Sequence, residues 1–376
     1  SAPAILAIER LKTLRPAPLA SNAVLQRLIP GNYADDLPAL ADVDWVIEAV
    51  VERLDVKQEL LARVAGVVRP HVPVTSNTSG LRITRISGQL PADLQSRFFG
   101  THFFNPPRAM RLVELIPGAQ TDLERMHALG DWIEARLGKG VVQAADQANF
   151  IGNRIGIFSL MAGLRHMQTQ ELDVETVDAL TGPLLGRPAS ATLRTIDVIG
   201  LDTFAHVAGN VCQGAPEDPW CDWFLPPAWL QDLIDRGHLG QKSGGLGIYR
   251  KTRTDAGQTR IQAWRPGEAA YTDLRPDPVP WLQTAMGERD PGARWRAVID
   301  RDDVHGRYVW AVLRDTLAYA AYWVESIAGG ELLAVDRSLR WGFNWQLGPF
   351  EVWQLLGHDR VLARMAGAGV LTAEAA

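Results

Sequence analysis

The 376 residues are 47% hydrophobic and 22% charged, the balance of an ordinary folded protein. That sets aside disordered and fibrous classes and gives room for about two domains. A formal net charge of −5 removes the electrostatic basis for nucleic-acid binding, and no apolar run approaches the ~20 residues needed to span a bilayer. Neither a nucleic-acid nor a membrane partner is expected. Cys212 and Cys221 are too few to staple a chain of this length, and no metal-ligand spacing surrounds them. The N-terminal stretch lacks a signal-peptide pattern, so a soluble cytoplasmic protein is expected. Basic charge rests on 33 arginines and only five lysines, a skew that carries no functional weight but draws the eye to Lys57.

The first third alternates strand-like and helix-like segments. Asp44–Val51 reads as a short strand buried on both faces. Leu54, Leu60, Leu61, Val64 and Val67 give Arg53–Val68 a helical spacing. Val72–Ser76, Phe98–Phe103 and Leu112–Ile116 are apolar, partly β-branched strand candidates. Thr121–Leu137 is helical, with Asp122 and Glu124 favouring its N-terminus, and Gly140–Ala144 is strand-like again. Such alternation implies a mostly parallel sheet with helices on its faces.

After Asp146 the pattern changes. Phe150–Gln168 and Asp173–Leu184 read as helices. Leu246–Thr252 and Thr259–Trp264 flank Asp255-Ala-Gly and suggest a hairpin. Arg275–Pro280 marks a Pro-rich linker, and Tyr308–Ile327 is a strongly amphipathic helix. Val177-Asp178 followed by GRPASATLRTIDVIGLD (186–202) looks like Val335-Asp336 followed by GFNWQLGPFEVWQLLGHD (342–359), with one single-residue gap. The pattern predicts a duplicated helical module.

The chemistry-bearing stretch is Val74–Pro117. Ser76-Asn-Thr-Ser79-Gly follows a strand, where open α/β sheets place ligands, although such clusters are often plain turn chemistry. His102 ends the next strand candidate, and Glu114 lies inside the apolar run LVELI. A carboxylate there is expected to be buried and to need a partner. A histidine supplies one, and the pair suits proton abstraction from an alcohol. By spacing alone, a core histidine satisfied by a structural acid fits as well. The Gly-rich segment GQKSGGLG (240–247) has no strand–loop–helix context and reads as a structural turn, not a phosphate loop.

In order, SNTSG, THFFNPP, LVELIP and DQANFIGNRI (146–155) resemble the 3-hydroxyacyl-CoA dehydrogenase family. WVIEAVVERLDVK (45–57), GRPASATLRTIDVIGLDTF and GQKSGGLGIYRK extend the resemblance over nearly the whole chain. The arrangement looks most like the bacterial type fused to an enoyl-CoA hydratase domain. The resemblance implies an α/β Rossmann-like, mostly parallel sheet domain followed by an all-α region of two duplicated helical modules. It implies domain spans of 1–145, 146–252, 253–304 (hairpin and linker) and 305–376. It further implies a catalytic His102 paired with Glu114, Ser79 and Asn153 on the substrate oxygen, and NAD contacts at Ala49, Glu52, Lys57 and Asn77, with no metal. Glu52 and Lys57 are equally readable as a solvated helix pair. The implied reaction is oxidation of an L-3-hydroxyacyl-CoA to the 3-ketoacyl-CoA, within fatty-acid β-oxidation. Family members with one helical module dimerise through it, so a duplicated module implies a monomer or weak dimer. The alternatives are a dehydrogenase of a non-CoA 3-hydroxy acid and a non-catalytic assembly protein that keeps the fold.

The chain departs from the family at one point. Dinucleotide-binding folds open with a strand, G-x-G-x-x-G and a helix, and nothing here fits. Gly138-Lys-Gly140 runs into a strand, and Gly367-Ala-Gly369 lies at the far end. The chain is therefore expected to be an internal piece of a longer protein, with an opening βαβ unit of roughly 30 residues outside it.

Overall fold

The computed structural model describes residues 2–14, 16–253, 257–276 and 279–367. They form two compact units, Ser1–Phe150 and Ile151–Ala376.

In the first unit, helix α1 (Ala2–Arg10) and two 3₁₀ turns bury no residue. The sheet follows, with β1 (Val46–Glu48), β2 (Val74–Ser76), β3 (Phe98–Phe103), β4 (Leu112–Pro117) and β5 (Gly140–Gln143) in that spatial order. All neighbours are parallel except β3 and β4, which pair antiparallel. Helices α2 (Leu54–Ala65), α3 (Ile83–Ser87), α4 (Ala92–Gln95) and α5 (Leu123–Leu137) connect the strands. The carboxylate of Asp122 accepts the N–H groups of Glu124 and Arg125 to start α5, and left-handed Gly138 ends it. Phe99, Val113, Leu115, Met126 and Ile133 form the core between the sheet and α5. On the other face, a Cβ at Gly100 would lie 2.9 Å from the side chains of Ile83 and Ile116; only glycine lets α3 sit that close. The strand at Asp44–Val51 was expected to be buried on both faces, and it is not. Val46 and Glu48 are buried, whereas Ile47 is 45% exposed.

The second unit contains α6 (Gly152–Thr169), α7 (Val174–Thr181), α8 (Leu193–Ile199), α9 (Leu201–Gly214) and α10 (Ala228–Asp235). After these come β6 (Tyr249–Arg253), β7 (Thr259–Arg265) and β8 (Ala270–Asp273), then α11 (Leu282–Gly287), α12 (Pro291–Ile299), α13 (Val304–Ala328), α14 (Leu332–Gly342), α15 (Pro349–Leu356) and α16 (His358–Gly367). This region is helical as expected, with one small sheet set among the helices. The predicted hairpin is β6–β7, and β8 extends it to a three-stranded antiparallel sheet. The short AYTD run of β8 carries no alternation that would mark it in sequence. The turn residues Asp255-Ala of the hairpin and Asp277-Pro of the linker lie outside the described residues.

Both helical segments singled out in sequence use the same devices. Asp178 accepts the backbone N–H groups of Thr192, Leu193 and Arg194 at the start of α8. Asp336 accepts those of Phe350 and Glu351 at the start of α15. Gly200 (φ 95°, ψ 127°) and Gly357 (φ 92°, ψ 118°) then turn the chain in the same unusual conformation, open to glycine and forbidden to most residues. Helices α6 and α13 pack on each other along their length. Between the segments that follow α7 and α14, Gln346 N–H donates to Gly186 O at 2.8 Å, and Arg187 lies 4.1 Å from the Trp345 ring. Buried Arg154 donates to Asp218 at 2.9 Å and to Tyr319 at 3.1 Å. Cys212 and Cys221, nine residues apart, form a local disulfide. GQKSGGLG is a structural turn: Gly240 pairs with Leu246, and the turn leads into the N–H groups of Ile248 and Tyr249, which donate to Asp197.

Candidate active site

His102 and Glu114 are brought together by the antiparallel β3–β4 pairing, which sets them directly opposite one another. A parallel crossover could not align residues only twelve apart. His102 Nδ1 lies 2.7 Å from Glu114 Oε2, with both residues buried. A carboxylate only accepts, so Nδ1 carries the proton and Nε2 is left as the basic nitrogen. The rings of Phe104 and Phe150 lie 4.6 Å and 5.6 Å from the imidazole, so it is packed between aromatics. Asn149 (φ 62°) and Phe150 (φ 52°) are consecutive left-handed residues, a conformation that costs about 1 kcal/mol or more at each non-glycine. Phe150, read from sequence as the start of a helix, instead belongs to this site; α6 begins at Gly152.

The carboxyl ends of β1 and β2 carry the other expected residues. Ala49 is exposed there, and Ser79 and Asn77 are partly exposed. Asn77 N–H donates to Glu48 O at 2.7 Å, and its side-chain oxygen accepts from Phe103 N–H at 2.9 Å, which ties the Ser79 loop to the strand bearing His102. Glu52 accepts from the Thr78 hydroxyl at 2.5 Å and from the Ser79 and Gly80 N–H groups at 3.0 and 3.1 Å. Burial alone raises the Glu52 carboxyl, but the Thr78 hydrogen bond and the charge of Lys57 outweigh it and hold the group below the usual carboxylate range. Lys57 is not part of a solvated pair. It is 1% exposed and bonds to Glu48, Glu52 and Val50 O. Asn153 stands in the first turn of α6, partly exposed, at the start of the second unit.

Sequence reasoning missed Glu48, Thr78 and Phe150. The signal that exposed Glu114, a carboxylate inside an apolar run, was equally present for Glu48 in WVIEAV. Small hydroxyl and amide groups with Glu52 at parallel strand ends fit the nicotinamide–ribose end of NAD. Among the described residues of this unit, no glycine-rich strand-to-helix turn offers a pyrophosphate cradle. Among the described residues, no cluster of His, Cys, Asp or Glu could hold a metal ion, and no helix is long and apolar enough to cross a membrane.

A doubly faced, mostly parallel sheet with a buried His–Glu pair at its strand ends, and a helical unit after it, defines the class of two-part dinucleotide-binding proteins. Residues 8–147 match the NAD-binding domain of 3-hydroxyacyl-CoA dehydrogenase and residues 150–251 match its C-terminal domain. The chain belongs to the 3-hydroxyacyl-CoA dehydrogenase family. It is 40% identical over 351 residues to a Bacillus subtilis protein named "Probable 3-hydroxyacyl-CoA dehydrogenase", covering 93% of this chain and 44% of that one. Over 293 residues it is 38% identical to a Deinococcus radiodurans protein of the same name, covering 77% of this chain and 83% of that one. The fold matches the crystal structure of 3-hydroxybutyryl-CoA dehydrogenase from Escherichia coli K12, with a TM-score of 0.70 at 24% identity, over 100% of this chain and 88% of that one. The chain thus spans less than half of the Bacillus subtilis relative.

Proposed function

We propose that the chain carries an NAD-dependent oxidoreductase activity of fatty-acid β-oxidation, converting L-3-hydroxyacyl-CoA to 3-ketoacyl-CoA. The observation that carries this reading is the buried His102–Glu114 pair, with Nε2 of the imidazole left as a base. In this reading Nε2 takes the proton of the 3-hydroxyl group, and Glu114 holds the Nδ1–H of the imidazolium that forms. Ser79 and Asn153 orient the hydroxyl oxygen and, in the reverse direction, polarise the ketone. Ala49, Glu52, Lys57 and Asn77 belong to the NAD-binding side. NAD, when bound, supplies the hydride acceptor at its nicotinamide ring.

The test compares acetoacetyl-CoA with free acetoacetate as substrates for NADH oxidation. Consumption of NADH with the thioester and none with the free acid supports the reading. Turnover of the free acid alone points to a dehydrogenase of non-CoA 3-hydroxy acids.

An enoyl-CoA hydratase domain on the same full-length polypeptide fits the resemblance to the fused type. A cytoplasmic location goes with this chemistry. The Cys212–Cys221 disulfide pulls the other way, since such bonds are rare in reducing compartments. Alkylation of free thiols in freshly lysed cells decides the point: two labelled cysteines support the cytoplasmic reading, and none contradicts it.

A further inference from the structure

Glu48 ends β1, and its carboxylate collects more partners than any surface carboxylate needs. Oε1 accepts from Lys57 Nζ at 2.9 Å and from Val50 N–H at 2.6 Å; Oε2 accepts from Lys57 at 3.1 Å and from the Ser76 hydroxyl at 2.5 Å. The Glu48 and Lys57 side chains are each 1% exposed. Taking two charges out of water is costly unless geometry and further hydrogen bonds repay it, and here all three ammonium protons find acceptors: Glu48, Val50 O at 3.3 Å and Glu52 at 3.3 Å. Glu52 in turn holds the Thr78 hydroxyl and the Ser79 and Gly80 N–H groups. The Ser76 hydroxyl that donates to Glu48 also accepts from Thr78 N–H at 3.3 Å. Two chains of contacts therefore leave the one buried carboxylate and converge on the loop 77–80, one through Lys57 and Glu52, the other through Ser76.

We propose that Glu48 is a positioning residue: by fixing Lys57 and Ser76 it sets the loop that carries Ser79. Lys57 then acts through Glu52 on the same loop, with all of its protons used inside the protein. This rests on the reading of Ser79 as a ligand of the substrate oxygen. A misplacement of such a ligand by about an ångström costs around 100-fold in rate.

Two measurements on Glu48→Gln test this. The first is amide hydrogen exchange on the free protein, which needs no turnover and is independent of the proposed reaction. Thr78, Ser79 and Gly80 are expected to exchange about tenfold faster, with the amides of β4 and α5 unchanged. Unchanged protection at 78–80 overturns the proposal. The second is the kinetics of acetoacetyl-CoA reduction. A fall of 10- to 100-fold in kcat is expected. An unchanged kcat overturns it. If Glu48→Gln alone does not fold, the double variant Glu48→Gln/Lys57→Met removes both charges together, which buried pairs tolerate far better than the loss of one. The same loop-confined exchange is expected of it. An inactive wild-type protein would refute the proposed reaction, while the exchange result would still decide the role of Glu48.

Discussion

His102 works as a base in this account because three neighbours restrict it: Glu114 fixes which nitrogen is protonated, and the rings of Phe104 and Phe150 keep the imidazole packed. Replacing His102 with Ala is expected to lower kcat by 100- to 10,000-fold, the usual worth of a positioned acid–base group. Glu114→Gln leaves the imidazole in place without a charge to hold the imidazolium, and about a 100-fold loss is expected. Both are read from NADH consumption, and a Glu114→Gln protein as active as wild type contradicts the pairing. The pair was legible because a carboxylate in LVELI demands a partner and a histidine ends the preceding strand. Phe150 was not legible. Its contact with His102 depends on two left-handed residues at Asn149 and Phe150, and neither residue type announces that conformation. Glu48 was legible and passed over, because a charged residue at a strand end is normally taken for its solvated boundary.

Among the elements, the helix-capping aspartates of the second unit give a pH signature. Burial pushes Asp178 and Asp336 up to about 6, against the hydrogen bonds from the N–H groups they cap. An unfolded aspartate titrates near 4. Folding is therefore favoured fully below about pH 4, and this contribution is lost as pH rises from 4 through 6. For Asp336 the loss amounts to about 3 kcal/mol at most. Urea midpoints of Asp336→Asn, which cannot ionise, are expected to vary less between pH 4.5 and 6.5 (chosen about the values above) than those of wild type. An equal slope in the two proteins contradicts the assignment. Packing gives a second test. A Cβ on Gly156 of α6 would lie 2.1 Å from the Phe343 ring, so Gly156→Ala is expected to destabilise the unit by roughly 1–3 kcal/mol, read from the same urea transitions. The strand β3 and the helices α5, α6 and α13 were predictable within a few residues because each carries a sustained apolar pattern. The strand β8 and the helices α11 and α12 were not, since short elements packed on a larger framework leave little periodicity of their own.

At the scale of the whole molecule, the two helical modules face each other within one unit, through α6 against α13 and Gln346 against Gly186. A surface buried in this way is not free to pair with a second copy, so a monomer or weak dimer is expected. Sedimentation at low micromolar concentration measures it, and a tight dimer there contradicts the expectation. The likeness of the two segments was visible in sequence because both keep a capping Asp and a left-handed Gly at nearly matched spacing. The extra sheet between them was only half visible, as a hairpin. The central claim is that the His102–Glu114 pair drives a 3-hydroxyacyl-CoA dehydrogenase reaction. Its most direct test follows NADH loss on adding acetoacetyl-CoA to this polypeptide and, beside it, to His102→Ala. The account predicts steady oxidation by the first and near-complete loss in the second. Equal rates in the two proteins would contradict it.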